Sequence, residues 1–151
     1  VIDTFVEKAG SWAQALPGPF SLTHHDYRLD NILLGQGRTV VLDWQTVGWG
    51  PPMFDVAYLV ATSWEPELRR EHERTLIREH VDELEANGVE WDFESAWQAY
   101  RRSSFATLLM LVPPTGSVKQ DARTDKMYKR LLSFGAQQVL DVDALEFLEE
   151  A

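Results

Sequence analysis

The side chains able to do chemistry are gathered in two short stretches, Thr23-His24-His25-Asp26-Tyr27-Arg28-Leu29-Asp30-Asn31 and Asp43-Trp44-Gln45. Each borders an apolar run, Ile32-Leu33-Leu34 in the first case and Val40-Val41-Leu42 in the second. A charge or amide beside apolar strands costs free energy unless something pairs with it. A divalent cation would do so. Magnesium prefers oxygen donors and is usually held by one or two protein side chains together with substrate phosphates. Gly35-Gln36-Gly37 separates the two runs as a hairpin turn would. That turn sets Asn31 and Asp43 side by side at the open end of the hairpin, where both can reach one ion. Asp26, five positions before Asn31, can then face a substrate while Asn31 faces the metal. Phosphoryl transfer needs this division of tasks: a metal neutralises the phosphates, and a carboxylate orients the attacking hydroxyl and accepts its proton.

The elements that must carry these residues follow from periodicity. Residues 2–16 place Ile2, Phe5, Val6, Ala9, Trp12, Ala13 and Leu16 at helical spacing, and Pro17-Gly18-Pro19 ends the run. Thr4 and Glu7 are spaced as a capping box, while a chain opening on Val1 rather than Met hints at sequence upstream. After the hairpin, Gly48-Trp49-Gly50-Pro51-Pro52 reads as a breaker cluster, followed by a short apolar helix from Phe54 to Ser63. Helices are expected over residues 65–87, with Asn87-Gly88 as the stop, over 94–112, closed by Pro113-Pro114, over about 121–140, and over 143–149. The fold class expected is mainly α with a small β-hairpin, about six helices around that hairpin, in one domain spanning residues 1–151.

Composition narrows the function. Lys and Arg number 14 against 24 Asp and Glu, a net charge of −10, so attraction to a nucleic-acid backbone is not expected. The absence of cysteine removes disulfides, thiolate zinc sites and thiol nucleophiles together. Apolar stretches fall short of the ~20 residues that span a bilayer, and no signal-peptide pattern opens the chain, so a cytoplasmic location without membrane partners is expected.

His24-x-Asp26-x-x-x-x-Asn31, then a hairpin and Asp43, resembles the catalytic loop and metal-binding aspartate of the protein-kinase-like fold. More narrowly, Leu22 to Leu34 with Val41-Leu42-Asp43-Trp44-Gln45-Thr46-Val47-Gly48 resembles the aminoglycoside phosphotransferase superfamily, and within it the ecdysteroid-kinase-like group. The likeness is specific over residues 20–63. It implies that Asp26 is the catalytic carboxylate and that Asn31 and Asp43 hold Mg2+, and with it the phosphates of ATP. His24 would brace the loop, and Asp55 would support it by accepting backbone hydrogen bonds. Arg28 stands where such kinases keep a cation near the transferred phosphoryl group, although a surface arginine explains it equally. His25 occupies a place that is small in the aminoglycoside group.

The resemblance further implies the C-terminal lobe of a small-molecule kinase acting on a hydroxyl acceptor. A nucleotide-binding N-terminal lobe would then be a partner supplied from elsewhere, and little turnover is expected from this lobe alone. An uncovered apolar face where that lobe sits would favour self-association. Two other classes stay open: a metal-dependent hydrolase built on His24, His25, Asp26 and Asp43, and a non-catalytic binding module derived from a kinase lobe. Asp30 reads as a loop cap, and His72 and His80 as surface or boundary residues. The six tryptophans read mostly as core, with Trp64, Trp91, Trp97 and Tyr100 able either to pack or to line an acceptor pocket.

Overall fold

A computed structural model describes residues 1–112 and 122–150. The expected stop at Pro113-Pro114 and the first residue of the helix placed at 121 lie outside the described residues. The elements run α1 (Ile2–Gln14), β1 (Ser21–Thr23), β2 (Ile32–Gly35), β3 (Arg38–Val41), β4 (Gly48–Gly50), α2 (Met53–Ser63), α3 (Pro66–Ala86), α4 (Phe93–Ser103), α5 (Ala106–Leu111), α6 (Ala122–Asp141) and α7 (Glu146–Glu149). Single 3-10 turns cover Leu29–Asn31 and Trp44–Thr46. The fold is mainly helical with two small antiparallel sheets. No helix among the described residues is long and apolar enough to cross a membrane.

The expected hairpin forms, Ile32 opposite Val41 and Gly35 opposite Arg38, with Gly35 in the strand and not in the turn. Gln36 and Gly37 both take positive φ, 48° and 72°, the two-residue turn whose twist matches that of the flanking strands. The second sheet is not what the sequence led one to expect. Gly48-Trp49-Gly50, taken as a breaker, is strand β4 and pairs with β1, Ser21 opposite Gly50 and Thr23 opposite Gly48. Two glycines in three residues disfavour a strand by propensity. They are needed because the His25 ring lies against them: a Cβ on Gly50 would stand 2.7 Å from His25 Nε2, and one on Gly48 3.1 Å from its Cε1.

Two helical expectations are also revised. The single helix over 94–112 is broken into α4 and α5 at Ser104-Phe105. There Phe105 turns inward to stack on Phe5, ring centroids 5.3 Å apart, and the Trp12 indole donates to the Arg102 carbonyl at 3.0 Å. The Thr4–Glu7 capping box does not form; Val1 is the cap residue of α1, without a side-chain bond.

At the centre lies α2, apolar on nearly every side, with Met53, Phe54, Ala57, Tyr58, Val60 and Ala61 buried. A helix of that character needs neighbours all round, and α3, α4, α5 and α6 supply them. The charge-rich helix α3 sends two of its charges inward: Arg69 and Glu73 are buried, 2.8 Å apart. Glu73 also accepts from the Tyr100 hydroxyl at 2.8 Å, that hydroxyl accepts from Gln138 Nε2 at 2.8 Å, and Arg69 pairs with Asp141. A polar chain therefore ties α3, α4 and α6 together behind the site.

Candidate active site

The segment from Thr23 to Asn31 leaves the short strand β1 and enters the hairpin through the turn Leu29–Asn31. Without regular structure of its own, it needs partners for its backbone groups. Asp55, in the first turn of α2, takes two of them: its Oδ2 accepts from the His24 N–H at 2.7 Å and its Oδ1 from the His25 N–H at 2.8 Å. Burial pushes the Asp55 carboxyl above its ordinary range, and the two backbone donors pull the other way.

His24 is buried and bound at both ring nitrogens. Nε2 meets the Leu42 carbonyl at 2.8 Å, and Nδ1 accepts the Asp26 backbone N–H at 3.2 Å. A carbonyl can only accept and an N–H can only donate, so the ring is the neutral Nε2–H tautomer. It links the loop to the residue before Asp43. On the other side of Asp43, Thr46 Oγ1 donates to the His24 carbonyl at 2.7 Å and the His25 Nδ1–H donates to the Thr46 carbonyl at 3.0 Å.

Asp26 and Asn31 are brought together. Asn31 Nδ2 donates to the Asp26 carboxylate at 2.9 Å and to the Asp26 carbonyl at 2.8 Å. With the amide nitrogen so used, its Oδ1 is the end left to serve another partner. At the hairpin base the Leu42 N–H donates to the Asn31 carbonyl at 2.8 Å, which sets Asp43 one residue beyond Asn31's cross-strand partner. Asp43 itself is exposed and left-handed, φ 61° and ψ 57°. His25 takes the same conformation, φ 65°. A side chain in that region costs roughly 1–2 kcal/mol, less for aspartate. Two such residues on facing segments mark where the fold holds backbone against its preference.

Arg28 pairs with Asp30, so Asp30 serves as a side-chain partner rather than a loop cap. Tyr58, buried on α2, has its hydroxyl within the electrostatic reach of both Asp26 and Arg28. Burial, reinforced by the charge of Asp26, pushes its hydroxyl up to about 12, with Arg28 opposing. Neither Tyr58 nor Thr46 was found by reading the sequence. One signal was there: Tyr58 follows Asp55 by three residues, which on a helix is the same face.

Two oxygen donors at the end of a hairpin, an amide and a carboxylate, fit a small hard cation that keeps most of its shell for water and phosphate. Among the described residues no group of three or more histidine or acidic side chains is arranged as a metal site. His24 has no ring nitrogen to spare for one.

Beside the loop an apolar cavity of about 260 Å3 is lined by Trp12, Phe20, His25, Trp49, Phe54 and Met110, among others. Tyr100 is wholly buried in the core, while Trp97, also part of the core, has an edge on a cleft lined by Arg70, Glu73 and Asp141. The tryptophans are less uniformly buried than their spacing led one to expect: Trp44 is 47% and Trp49 74% exposed.

A family model described as the phosphotransferase enzyme family, APH, matches residues 2–97, more than half of the chain and the whole of the loop, hairpin and α2 just described. Neither a curated protein nor a solved structure gives a significant match.

Proposed function

Because the chain belongs to the phosphotransferase enzyme family, we propose that it is the catalytic lobe of a small-molecule kinase, one that moves the γ-phosphoryl group of ATP to a substrate hydroxyl. In this reading the acceptor oxygen attacks the γ-phosphorus, the bond from that phosphorus to the bridging oxygen breaks, ADP departs, and the hydroxyl proton passes to Asp26. Asn31 Nδ2 fixes the rotation of the Asp26 carboxylate, which keeps its remaining lone pairs directed at the acceptor. Asn31 Oδ1 and the Asp43 carboxylate are the groups that would hold Mg2+. When bound, that ion supplies charge neutralisation on the β- and γ-phosphates. Arg28, half-buried and paired with Asp30, adds a positive charge on the same loop.

The observation that carries this reading is the bond from Asn31 Nδ2 to the Asp26 carboxylate at 2.9 Å, made at the mouth of a hairpin whose other strand ends at Val41, two residues before Asp43. Acceleration in this chemistry is almost all positioning and electrostatics, so residues held in mutual register are what it requires. The nucleotide clamp is assigned to a second lobe, for which the exposed apolar strands leave a face. A cytoplasmic location, where ATP and Mg2+ are at hand, goes with this function. A zinc hydrolase built on the two histidines is not favoured, because both His24 nitrogens and His25 Nδ1 are already committed to backbone partners.

The test follows phosphorylated product and ADP with Mg2+ and a panel of amino alcohols, sugars and apolar alcohols, using the full reading frame. Asp26→Asn is expected to lower the rate ~10²–10⁴-fold, the range a positioned general base supplies. Asp43→Asn is expected to remove the dependence on Mg2+ along with activity. Transfer that survives Asp26→Asn undiminished would overturn the reading.

A further inference from the structure

We propose that His25 is a positioning residue for Asp43: together with His24 it staples the backbone on both sides of that carboxylate, and Gly50 is glycine so that the staple can close. The inference rests on the reading of Asp43 as a metal ligand and extends it to a residue with no reactive role of its own.

The geometry has three parts. First, the two adjacent imidazoles grip the same segment at different points. His24 Nε2–H holds the Leu42 carbonyl, one residue before Asp43, and His25 Nδ1–H holds the Thr46 carbonyl, three residues after it. Thr46 closes the loop by donating its hydroxyl to the His24 carbonyl. Asp43 stands between these anchors in a left-handed conformation that its own preferences do not select, at an exposed position with little packing to hold it.

Second, His25 reaches Thr46 from a left-handed conformation, φ 65°, where glycine is the unstrained residue. If position 25 were only a tight turn, glycine would serve it better. A histidine there accepts backbone strain in return for one side-chain bond, and that bond goes to the segment bearing Asp43. Third, the ring fills the space beside β4. Its Nε2 stands where a Cβ on Gly50 would approach to 2.7 Å, and its edge packs on Phe54 with centroids 5.2 Å apart. Position 50 and position 25 are therefore coupled through volume, and each can be changed to probe the other.

Four variants of the full chain separate this role from a merely structural one: His25→Gly, His25→Asn, Gly50→Ala and the double variant His25→Asn with Gly50→Ala. Asparagine tolerates the left-handed region, and its Nδ2 sits where the histidine Nδ1 does, so it keeps the bond to Thr46 while vacating the space beside Gly50. Amide hydrogen exchange of residues 44–47, read by NMR without nucleotide or metal, is expected to accelerate in His25→Gly and in Gly50→Ala. It is expected to stay at the wild-type rate in His25→Asn and in the double variant. In the transfer assay the Mg2+ concentration for half-maximal rate is expected to rise about tenfold in His25→Gly, the lower end of what loss of a ligand-orienting contact costs, with saturated turnover little changed.

Exchange in His25→Gly at the wild-type rate would overturn the proposal, and so would a double variant as fast as Gly50→Ala alone. Should His25→Gly fail to fold, the Gly50→Ala and double-variant pair still decides it. A wild-type chain that transfers no phosphoryl group would count against the kinase reading alone, since the exchange pattern is read without turnover.

Discussion

Asp26 and Tyr58 show at the residue scale how the site is set. The carboxylate is held by an amide from Asn31, and the Tyr58 phenol, buried near it, holds its own proton unusually tightly. With the Tyr58 hydroxyl pushed up to about 12 in the folded chain, against about 10 when unfolded, its linkage to stability has a definite sign. Below pH 10 both states keep the proton and nothing is lost. Between pH 10 and about 12 the unfolded chain releases it and the folded chain does not, so stability falls as pH rises through that window, by roughly 1.4 kcal/mol per unit. Tyr100, shifted upward by burial and then by Glu73, acts in the same direction. Urea unfolding midpoints measured from pH 9 to 12 are expected to drop less steeply in Tyr58→Phe than in the wild type. Parallel curves for the two would show that the phenol is not held as described. Of the residues here, Asp26, Asn31, Asp43, His24 and Asp55 could be singled out because their order and spacing along 32 residues resemble a known arrangement. Thr46 and Tyr58 could not, since their places beside the loop depend on how a turn and a helix come back to it.

At the scale of elements, the hairpin and most helices could be read from period and punctuation, and the failures have a common cause. Strand β4 and the break between α4 and α5 are imposed by tertiary partners: the His25 ring in one case, Phe5 and Trp12 in the other. Neither leaves a local signature. The same holds for α3, whose many Glu and Arg gave no sign that Arg69 and Glu73 point inward. Gly135 of α6 is a further instance, since a Cβ there would stand 2.7 Å from Thr107, allowing α5 and α6 their close approach. The buried pair yields a prediction proper to this scale. Glu73→Ala leaves the Arg69 guanidinium with only part of its compensation and removes the acceptor of the Tyr100 hydroxyl. It is expected to destabilise the chain by about 3–5 kcal/mol, read as a fall in urea midpoint. Arg69→Met with Glu73→Leu, which removes both charges, is expected to recover much of that loss. If the single variant unfolds at the wild-type midpoint, the network does not bind α3 to α4 and α6.

The whole molecule presents an uneven surface. It carries a net charge of −10, yet the two small sheets hold much of their apolar surface in the open: Leu22 is 65%, Leu34 74% and Trp49 74% exposed, with Leu33 and Val40 near one half. A lone two-stranded hairpin is marginal in water, and this much exposed apolar strand surface is of the kind that finds partners. In the kinase reading it is the seat of the nucleotide lobe. Where that lobe is not present, self-association through this face is expected, visible as a scattering mass that rises with concentration and falls toward the monomer in Leu34→Ser with Trp49→Ser. A monomer at every concentration would show that the face is content in water.

The claim on which the rest depends is that Asn31 and Asp43 converge on one cation beside Asp26. Mn2+ can report this directly, because its unpaired electrons broaden nearby nuclei. With ATP present, substoichiometric Mn2+ is expected to broaden the Asn31 side-chain amide and the backbone N–H signals of residues 43 and 44 first, and to lose that selectivity in Asp43→Asn. Broadening that spares Asn31, or that is unchanged by Asp43→Asn, would contradict the site as described.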